Sequence, residues 1–318
     1  MARILATSRS FSSGSRDLIA ELAAAGHSVT IGSPAHDLDD LRADLAEADA
    51  WIAGTGPVTA AHFDAAPHLT VLARYGVGYE AVDVGAAASR GIQVTNTPGA
   101  NSDAVADHAV GLMLAVLRGT TAGDRRVRVG DWSVLRGREL GAMTVGIVGF
   151  GRIGQGVARR LSGFGTRIVA HDPWLGDDAI RAAGAEPLDV AAMPAACDLV
   201  TLHAPGGTVI ADADWLASAR HGLVLVNTAR PDLIDEDALT AAMRDGRVGG
   251  FAADTLAGDT AGAPSTLLAD DLADRVVVTP HFGAQTVEAV DAMGAMAVDN
   301  VLAVLAGGAP PFPVPLKG

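Results

Sequence analysis

The chain has 318 residues, 49% of them hydrophobic and 19% charged, a composition that supplies a large apolar core, excludes a disordered chain and leaves room for two domains. Lys and Arg number 23 against 37 Asp and Glu, a net charge of −14. That field repels nucleic acid and acidic membranes, so neither is an expected partner and an anionic substrate needs a locally placed cation.

No charged-then-apolar leader opens the sequence, because residues 1–7 run directly into the polar stretch 8–15. Short β-type runs then alternate with helical patterns: a strand over 3–7, a helix near 15–25 stopped by Gly26, a strand over 29–31 and a helix over 38–47. Further strands at 50–53, 69–73 and 92–95 complete a first unit of roughly 95 residues with the grammar of a doubly wound sheet. Thr97-Pro98-Gly99 breaks the pattern. The helix over 103–118 that follows is apolar nearly all round, so it is expected to be packed on most faces as a crossover between domains or subunits. Its most apolar part, 104–117, is interrupted by Asp107 and His108 and falls short of the roughly 20 residues that cross a bilayer. A second series covers 144–148, 152–162, 167–170, 199–202, 223–226, 235–244, 251–253 and 276–279. Its strands are hydrophobic without alternation, as parallel strands covered on both faces must be. A last helix over 285–305 ends at Gly307-Gly308, before a Pro-rich tail.

Gly149-Phe150-Gly151-Arg152-Ile153-Gly154 lies between the strand 144–148 and the helix 152–162. With 38 Gly in the chain, such a pattern arises by chance about 0.5 times, so its placement carries the argument. The first glycine permits the tight turn, the second lets backbone N–H groups approach a pyrophosphate, and the third brings the helix close to the sheet with its positive end toward the anion. Asp172 stands 18 positions beyond Gly154 at the end of the next strand, near the spacing at which an acid binds an adenosine ribose. The alternative reading makes it a helix cap. A carboxylate there repels a 2′-phosphate, and Pro173-Trp174 adds no cation, so NAD is favoured over NADP.

Three further segments follow predicted strands: Val226-Asn227-Thr228-Ala229-Arg230, Ala253-Asp254 with Asp259 beyond it, and Thr279-Pro280-His281-Phe282-Gly283. The ends of parallel strands converge on a ligand crevice, which is where Arg230 and His281 are expected to meet. A planar guanidinium fork for a carboxylate and an imidazole that exchanges a proton near neutral pH are the groups that reduction of a 2-oxo acid requires.

Over nearly its whole length the chain resembles the D-isomer-specific 2-hydroxyacid dehydrogenase family. The resemblance is carried by Arg74-Tyr75-Gly76-Val77-Gly78, Asn96-Thr97-Pro98-Gly99-Ala100-Asn101, the glycine segment, Asp198-Leu199-Val200-Thr201-Leu202-His203-Ala204-Pro205, Asn227-Thr228-Ala229-Arg230 and Thr279-Pro280-His281. It implies an α/β protein of two doubly wound parallel-sheet domains, a Rossmann NAD domain over 99–284 inserted in a flavodoxin-like substrate domain made of 1–98 and 285–318. It also implies a homodimer. Arg230 is thereby expected to bind substrate and polarise its carbonyl, His281 to act as acid/base, and Asp259 to orient His281. Val77 and Gly78 would offer backbone N–H groups to the substrate carboxylate, and Asn101 would bind substrate. Arg152, Ile153, His203, Ala204, Pro205, Thr228, Ala229, Asp254 and Gly283 would join the glycines and Asp172 around the cofactor.

Three departures accompany the match. Asp259 stands where the family has Glu, shorter by one methylene, on the order of 1.3 Å of reach. Pro231 replaces the usual Gly after Arg230, forcing Arg230 toward extended geometry and removing an N–H. The segment Gly206-Gly207-Thr208 after Pro205 looks shortened. They keep open an NAD(H)-sensing binding protein with vestigial activity, and a related enzyme acting on a phosphonate-type anion. The single cysteine, Cys197, reads as a small buried hydrophobe and suits a reducing cytoplasm. Trp132 and Trp174 read as packing or interface residues, and no spacing of ligands calls for a metal.

Overall fold

Apolar runs without alternation become strands here because successive side chains enter two different cores. The computed structural model describes residues 1–258 and 264–315. In chain order its elements are β1 (Arg3–Ala6), α1 (Leu18–Ala24), β2 (Ser28–Ile31), α2 (Leu38–Glu47), β3 (Ala50–Ala53), α3 (Ala60–Asp64), β4 (Val71–Arg74), α4 (Val84–Ser89) and β5 (Gln93–Thr95). There follow α5 (Ser102–Arg118), α6 (Thr120–Arg128), β6 (Thr144–Val148), α7 (Arg152–Ser162), β7 (Arg167–His171), α8 (Asp177–Ala182), β8 (Glu186–Pro187), α9 (Met193–Ala196) and β9 (Leu199–Leu202). The chain ends with α10 (Ala213–Ala217), β10 (Leu223–Asn227), α11 (Glu236–Arg244), β11 (Val248–Ala253), β12 (Val276–Val278) and α12 (Val287–Leu305). It divides into two units, Met1–Asn101 with Ala284–Gly318, and Ser102–Gly283.

The first unit is a five-stranded parallel sheet in the order β2-β1-β3-β4-β5, the order of flavodoxin-like folds. Along β3, Trp51 and Ala53 enter one core with Leu41, Leu45 and Phe63, while Ala50 and Ile52 enter the other with Leu18, Leu22 and Met293. That alternation is why β3 carries no polar face. The first helix begins at Leu18 rather than near residue 15, because Asp17 caps it by accepting the Ala20 N–H at 3.0 Å. The Pro-rich tail pairs with β5 through Val314 N–H to Val94 O at 2.9 Å.

The second unit is a seven-stranded parallel sheet, β12-β11-β10-β9-β6-β7-β8. The strand order reverses direction between β6 and β9, which places a ligand crevice at their carboxyl ends. Val145, Ile147, Val224 and Val226 face the core under α5 and α7, and Val148, Val200, Leu225 and Phe251 face the opposite one. Cys197 is buried there, its thiol pushed up to about 11 by loss of solvent. Trp132 and Trp174 are 78% and 75% exposed, which corrects the packing half of the reading from sequence: within the chain neither is packed.

Candidate active site

The glycine turn after β6 is shaped by close backbone approach. Gly149 has φ +86°, and a Cβ on it would lie 2.6 Å from the Ala204 nitrogen. A Cβ on Gly154 would lie 2.2 Å from the Gly149 carbonyl oxygen, so these two glycines let β6, α7 and the β9 end touch. At Gly151 a Cβ would meet nothing within 4 Å. The backbone there is open, and Gly151 caps α7, whose first N–H groups at Arg152 and Ile153 lie in its unsatisfied opening turn. The residues present therefore fit a dinucleotide pyrophosphate.

Asp172 follows β7 and is pinned by the turn it serves. Its Oδ2 accepts the Phe150 N–H at 2.8 Å and its Oδ1 the Trp174 N–H at 2.9 Å. Beside it a cavity of about 290 Å³ is lined by Ala170, Asp172, Leu175, Ile180, Pro187 and Leu188, together with Asp177 and Asp189. Apolar walls suit an adenine; of the three carboxylates Asp177 is paired with Arg181 at 3.4 Å, and Asp172 and Asp189, in a lining that also holds His171 but no Lys or Arg, oppose an added 2′-phosphate.

His203, directly after β9, accounts for the close contact with Gly149. Its Nε2 lies 3.0 Å from Thr201 Oγ1 and its Nδ1 3.4 Å from Thr228 Oγ1. Burial pushes the ring down to about 4, which favours the neutral imidazole at pH 7. After β10 the Asn227 side chain ties the next turn: Oδ1 accepts the Ala229 N–H at 3.0 Å and Nδ2 donates to the Arg230 carbonyl at 2.8 Å. Arg230 is extended, with φ −138° and ψ 140°, and Pro231 opens a 3-10 turn at a position where its missing N–H has no intrahelical partner to lose. The Gly206-Gly207 segment folds onto Asp232, whose Oδ2 accepts the Gly207 N–H at 2.6 Å. Sequence reading gave no role to Asn227 or Asp232, although Asn and Asp beside glycine turns are a recognisable signal.

Asp254 ends β11 and organises the turn after β12. Its Oδ1 accepts the Thr279 hydroxyl at 2.5 Å and the Phe282 N–H at 3.0 Å, and its Oδ2 the Gly283 N–H at 2.8 Å. Burial works to raise this carboxyl, but hydrogen bonds from His108, Thr279 and Gly283 outweigh it and hold it below the usual carboxylate range. His281 sits within this turn at φ +55°, a left-handed conformation rare for a residue with a side chain. The sheet order puts only β11 between β10 and β12, so Arg230 and His281 leave strands about 10 Å apart on the same edge. Asp259 lies outside the described residues.

The first unit carries the remaining candidates. Gly76 has φ +136° and its N–H donates to Thr97 Oγ1 at 3.1 Å, while Asn96 Nδ2 donates to the Val77 carbonyl at 2.8 Å. Among the described residues the N–H groups of Val77 and Gly78 meet no acceptor, and the buried Oδ1 of Asn101 meets no donor. No cluster of metal-ligating side chains occurs among the described residues. No described helix is long and apolar enough to cross a membrane.

A doubly wound sheet with an open glycine turn at its switch point and an acid at the next strand end defines a dinucleotide-binding α/β protein. Residues 110–283 match the family model described as the D-isomer specific 2-hydroxyacid dehydrogenase, NAD binding domain. The chain is 39% identical over 288 residues to a D-3-phosphoglycerate dehydrogenase of Mycobacterium tuberculosis, covering 89% of this chain and 54% of that one. It is 35% identical over 266 residues to a glyoxylate reductase of Korarchaeum cryptofilum, covering 81% and 79%. The solved NAD-dependent formate dehydrogenase of Staphylococcus aureus in complex with NAD superposes with a TM-score of 0.84 at 27% identity, covering 99% and 100%. The chain thus belongs to the D-isomer specific 2-hydroxyacid dehydrogenase family, and NAD is the cofactor of its central domain. It spans about half the length of the phosphoglycerate dehydrogenases it matches.

Proposed function

We propose that the chain is an NAD-dependent oxidoreductase that interconverts a small 2-oxo acid and its D-2-hydroxy acid. The observation that carries this reading is the common strand edge: Arg230 after β10, Asp254 ending β11 and His281 after β12 stand along one edge of the sheet that holds the glycine turn. When bound, NAD supplies or accepts the hydride. Arg230 presents its fork to the substrate carboxylate and polarises the carbonyl, and His281 gives the proton to the carbonyl oxygen in the reductive direction. Asp259 is assigned to orient His281. The open N–H groups of Val77 and Gly78, with Asn101, are assigned to the carboxylate, making the first unit the substrate domain.

The curated relatives act, by name, on phosphoglycerate and glyoxylate, which differ in a phosphate dianion. Residues 54–59, 75–83 and 96–101, which follow β3, β4 and β5, contain no Lys or Arg. A phosphorylated acid finds little charge complement in those loops, so a glyoxylate- or pyruvate-sized acid is the favoured substrate. We place the enzyme in the cytoplasm, in keeping with its single cysteine.

Following nicotinamide absorbance over a panel of 2-oxo acids, phosphorylated ones included, tests this reading. Turnover is expected on the small acids, with His281→Gln and Arg230→Ala each lowering kcat/KM by about 100-fold or more while circular dichroism stays unchanged. Tight NADH binding without turnover on any acid would replace the enzyme with a nucleotide-responsive binding protein.

A further inference from the structure

The second unit begins with α5 and ends at Gly283, and both ends of it meet one buried carboxylate. His108, in the second turn of α5, places Nε2 2.9 Å from Thr279 Oγ1 and 3.3 Å from Asp254 Oδ1. The Thr279 hydroxyl proton is committed to Asp254 Oδ1 at 2.5 Å. Since a hydroxyl has one proton, His108 must be the donor to Oγ1, which fixes hydrogen on Nε2. The chain of donors runs His108 to Thr279 to Asp254, and the same carboxylate grips the Phe282 and Gly283 N–H groups immediately after His281. The His108 ring also packs on Phe282, centroids 5.0 Å apart and planes at 54°. Gly283 completes the fit, because a Cβ there would lie 2.9 Å from Asp254 Oδ2 and 3.2 Å from His108 Cδ2.

We propose that His108 is a positioning residue: its Nε2–H polarises and orients the Thr279–Asp254 pair, and that pair holds the residue 279–283 turn in the left-handed form that presents the His281 imidazole. The assignment of acid/base chemistry to His281 is taken from the proposed function; the clasp itself is a property of the apoprotein. Left-handed backbone at a non-glycine residue persists only where surrounding contacts over-determine it. Here the contacts include the hydrogen bonds of the Phe282 and Gly283 N–H groups to one carboxylate and that of the His281 N–H to the Thr279 carbonyl at 2.9 Å, and His108 supplies the outermost donor to that carboxylate. The polar interruption Asp107-His108 in an otherwise apolar helix is its signature in the sequence.

Two substitutions separate hydrogen bonding from packing. His108→Phe keeps an aromatic ring against Phe282 and removes the donor; His108→Gln restores a donor at similar reach. Hydrogen exchange of the ligand-free protein, read at the Phe282 and Gly283 amides, is expected to speed up at least tenfold in His108→Phe, with other elements of the unit unchanged, and to return to within threefold of wild type in His108→Gln. In parallel, kcat on the best 2-oxo acid is expected to fall about tenfold in His108→Phe with KM for NADH within twofold, and to recover in His108→Gln. Thr279→Val, which removes the middle hydroxyl, is expected to reproduce the exchange result if His108→Phe fails to fold. Wild-type protection at both amides in His108→Phe or Thr279→Val would overturn the clasp. Faster exchange with full turnover would overturn its role in positioning His281. An inactive wild type would remove the acid/base reading while the exchange data still decide whether the clasp exists.

Discussion

Gly149 and Gly151 stand two positions apart and are glycine for opposite reasons. At Gly149 the backbone is left-handed and a Cβ would enter the Ala204 backbone, whereas Gly151 faces open space. Gly149→Ala is therefore expected to destabilise the second unit by about 2–4 kcal/mol, through strain and collision together. Gly151→Ala is expected to leave the melting temperature within a degree or two and to weaken NADH at least tenfold, because the methyl occupies the approach of the pyrophosphate. Calorimetry and fluorescence titration check the pair; equal thermal loss in both variants would contradict the assignment. Acid sensitivity is expected to arise at a different residue. His36, 2% exposed and at φ +58°, lies with Nε2 2.6 Å from Thr7 Oγ1 and its ring 5.1 Å from that of Trp51. Burial, with repulsion from His62 and Arg74, pushes its pKa from 6.5 to about 4, and among the described residues the buried Nδ1 has no hydrogen-bond partner to offset it. The folded ring stays neutral where the unfolded ring takes up a proton, so its contribution to stability is fully present above pH 6.5 and is lost as pH falls toward 4. The loss reaches on the order of 3 kcal/mol. His203, also pushed down to about 4, acts in the same direction. Melting temperature is expected to drop steeply between pH 6.5 and 4, and His36→Asn, which tolerates the left-handed backbone, to flatten that slope; an unchanged slope would assign acid lability to other groups.

Elements were legible in the sequence where burial on two faces wrote them. β6, β9 and β10 read directly, since Val145, Leu199 and Val224 enter one core and Val148, Val200 and Leu225 the other, leaving only Thr144, Thr201 and Asn227 polar and neither face of a strand polar throughout. The glycine turn read because three constraints, a positive φ, an open approach and a close helix, each demand the same residue at fixed spacing. The helices α3, α4, α8, α9 and α10 did not read, for they run only four to six residues and show one or two buried positions each. Too few turns exist there for a 3.6-residue period to repeat. α6 was hidden differently: Thr120–Arg128 is polar almost all round and buries only Ala122, so it carries no apolar stripe to detect. β8, two residues long and containing Pro187, is an edge strand that pairing with β7 alone defines. In the site, the residues with charges were legible and the braces were not. Arg230, His281 and Asp172 stood out by chemistry, whereas Asn227, Thr279 and His108 act through distances between segments far apart in sequence, up to 171 positions for His108 and Thr279. Pro231 is the instructive case of a local rule that held, its predecessor being extended as proline requires.

At the scale of the whole molecule, a net charge of −14 makes any two copies repel, so self-association needs a patch that is apolar and carries no net negative charge. The segment after α5 is apolar, and Asp124, Asp131 and Asp274 balance Arg125, Arg126 and Arg128 there. Val129, Trp132 and Val134 are 80%, 78% and 94% exposed, and Val127 is 43% exposed. Arg125, Arg126 and Arg128 lie beside them on α6, the first two ion-paired with Asp274 and Arg128 with Asp124. Four large apolar side chains within eight residues exceed what a monomer ordinarily leaves in water, and an aromatic with flanking arginines is the usual composition of an interface centre. We therefore expect a homodimer joined through residues 127–134. Because the bulk charge opposes association and the patch is apolar, moderate salt should strengthen the dimer: screening removes long-range repulsion without weakening burial. Light scattering at micromolar concentration is expected to give twice the chain mass in wild type, with dissociation favoured at low ionic strength. Trp132→Glu is expected to give the monomer while NADH binding stays within about twofold, since Trp132 does not line the cavity beside Asp172. A monomeric wild type, or a dimer indifferent to Trp132→Glu, would return the segment to the ordinary surface and leave the exposed apolar side chains without a partner.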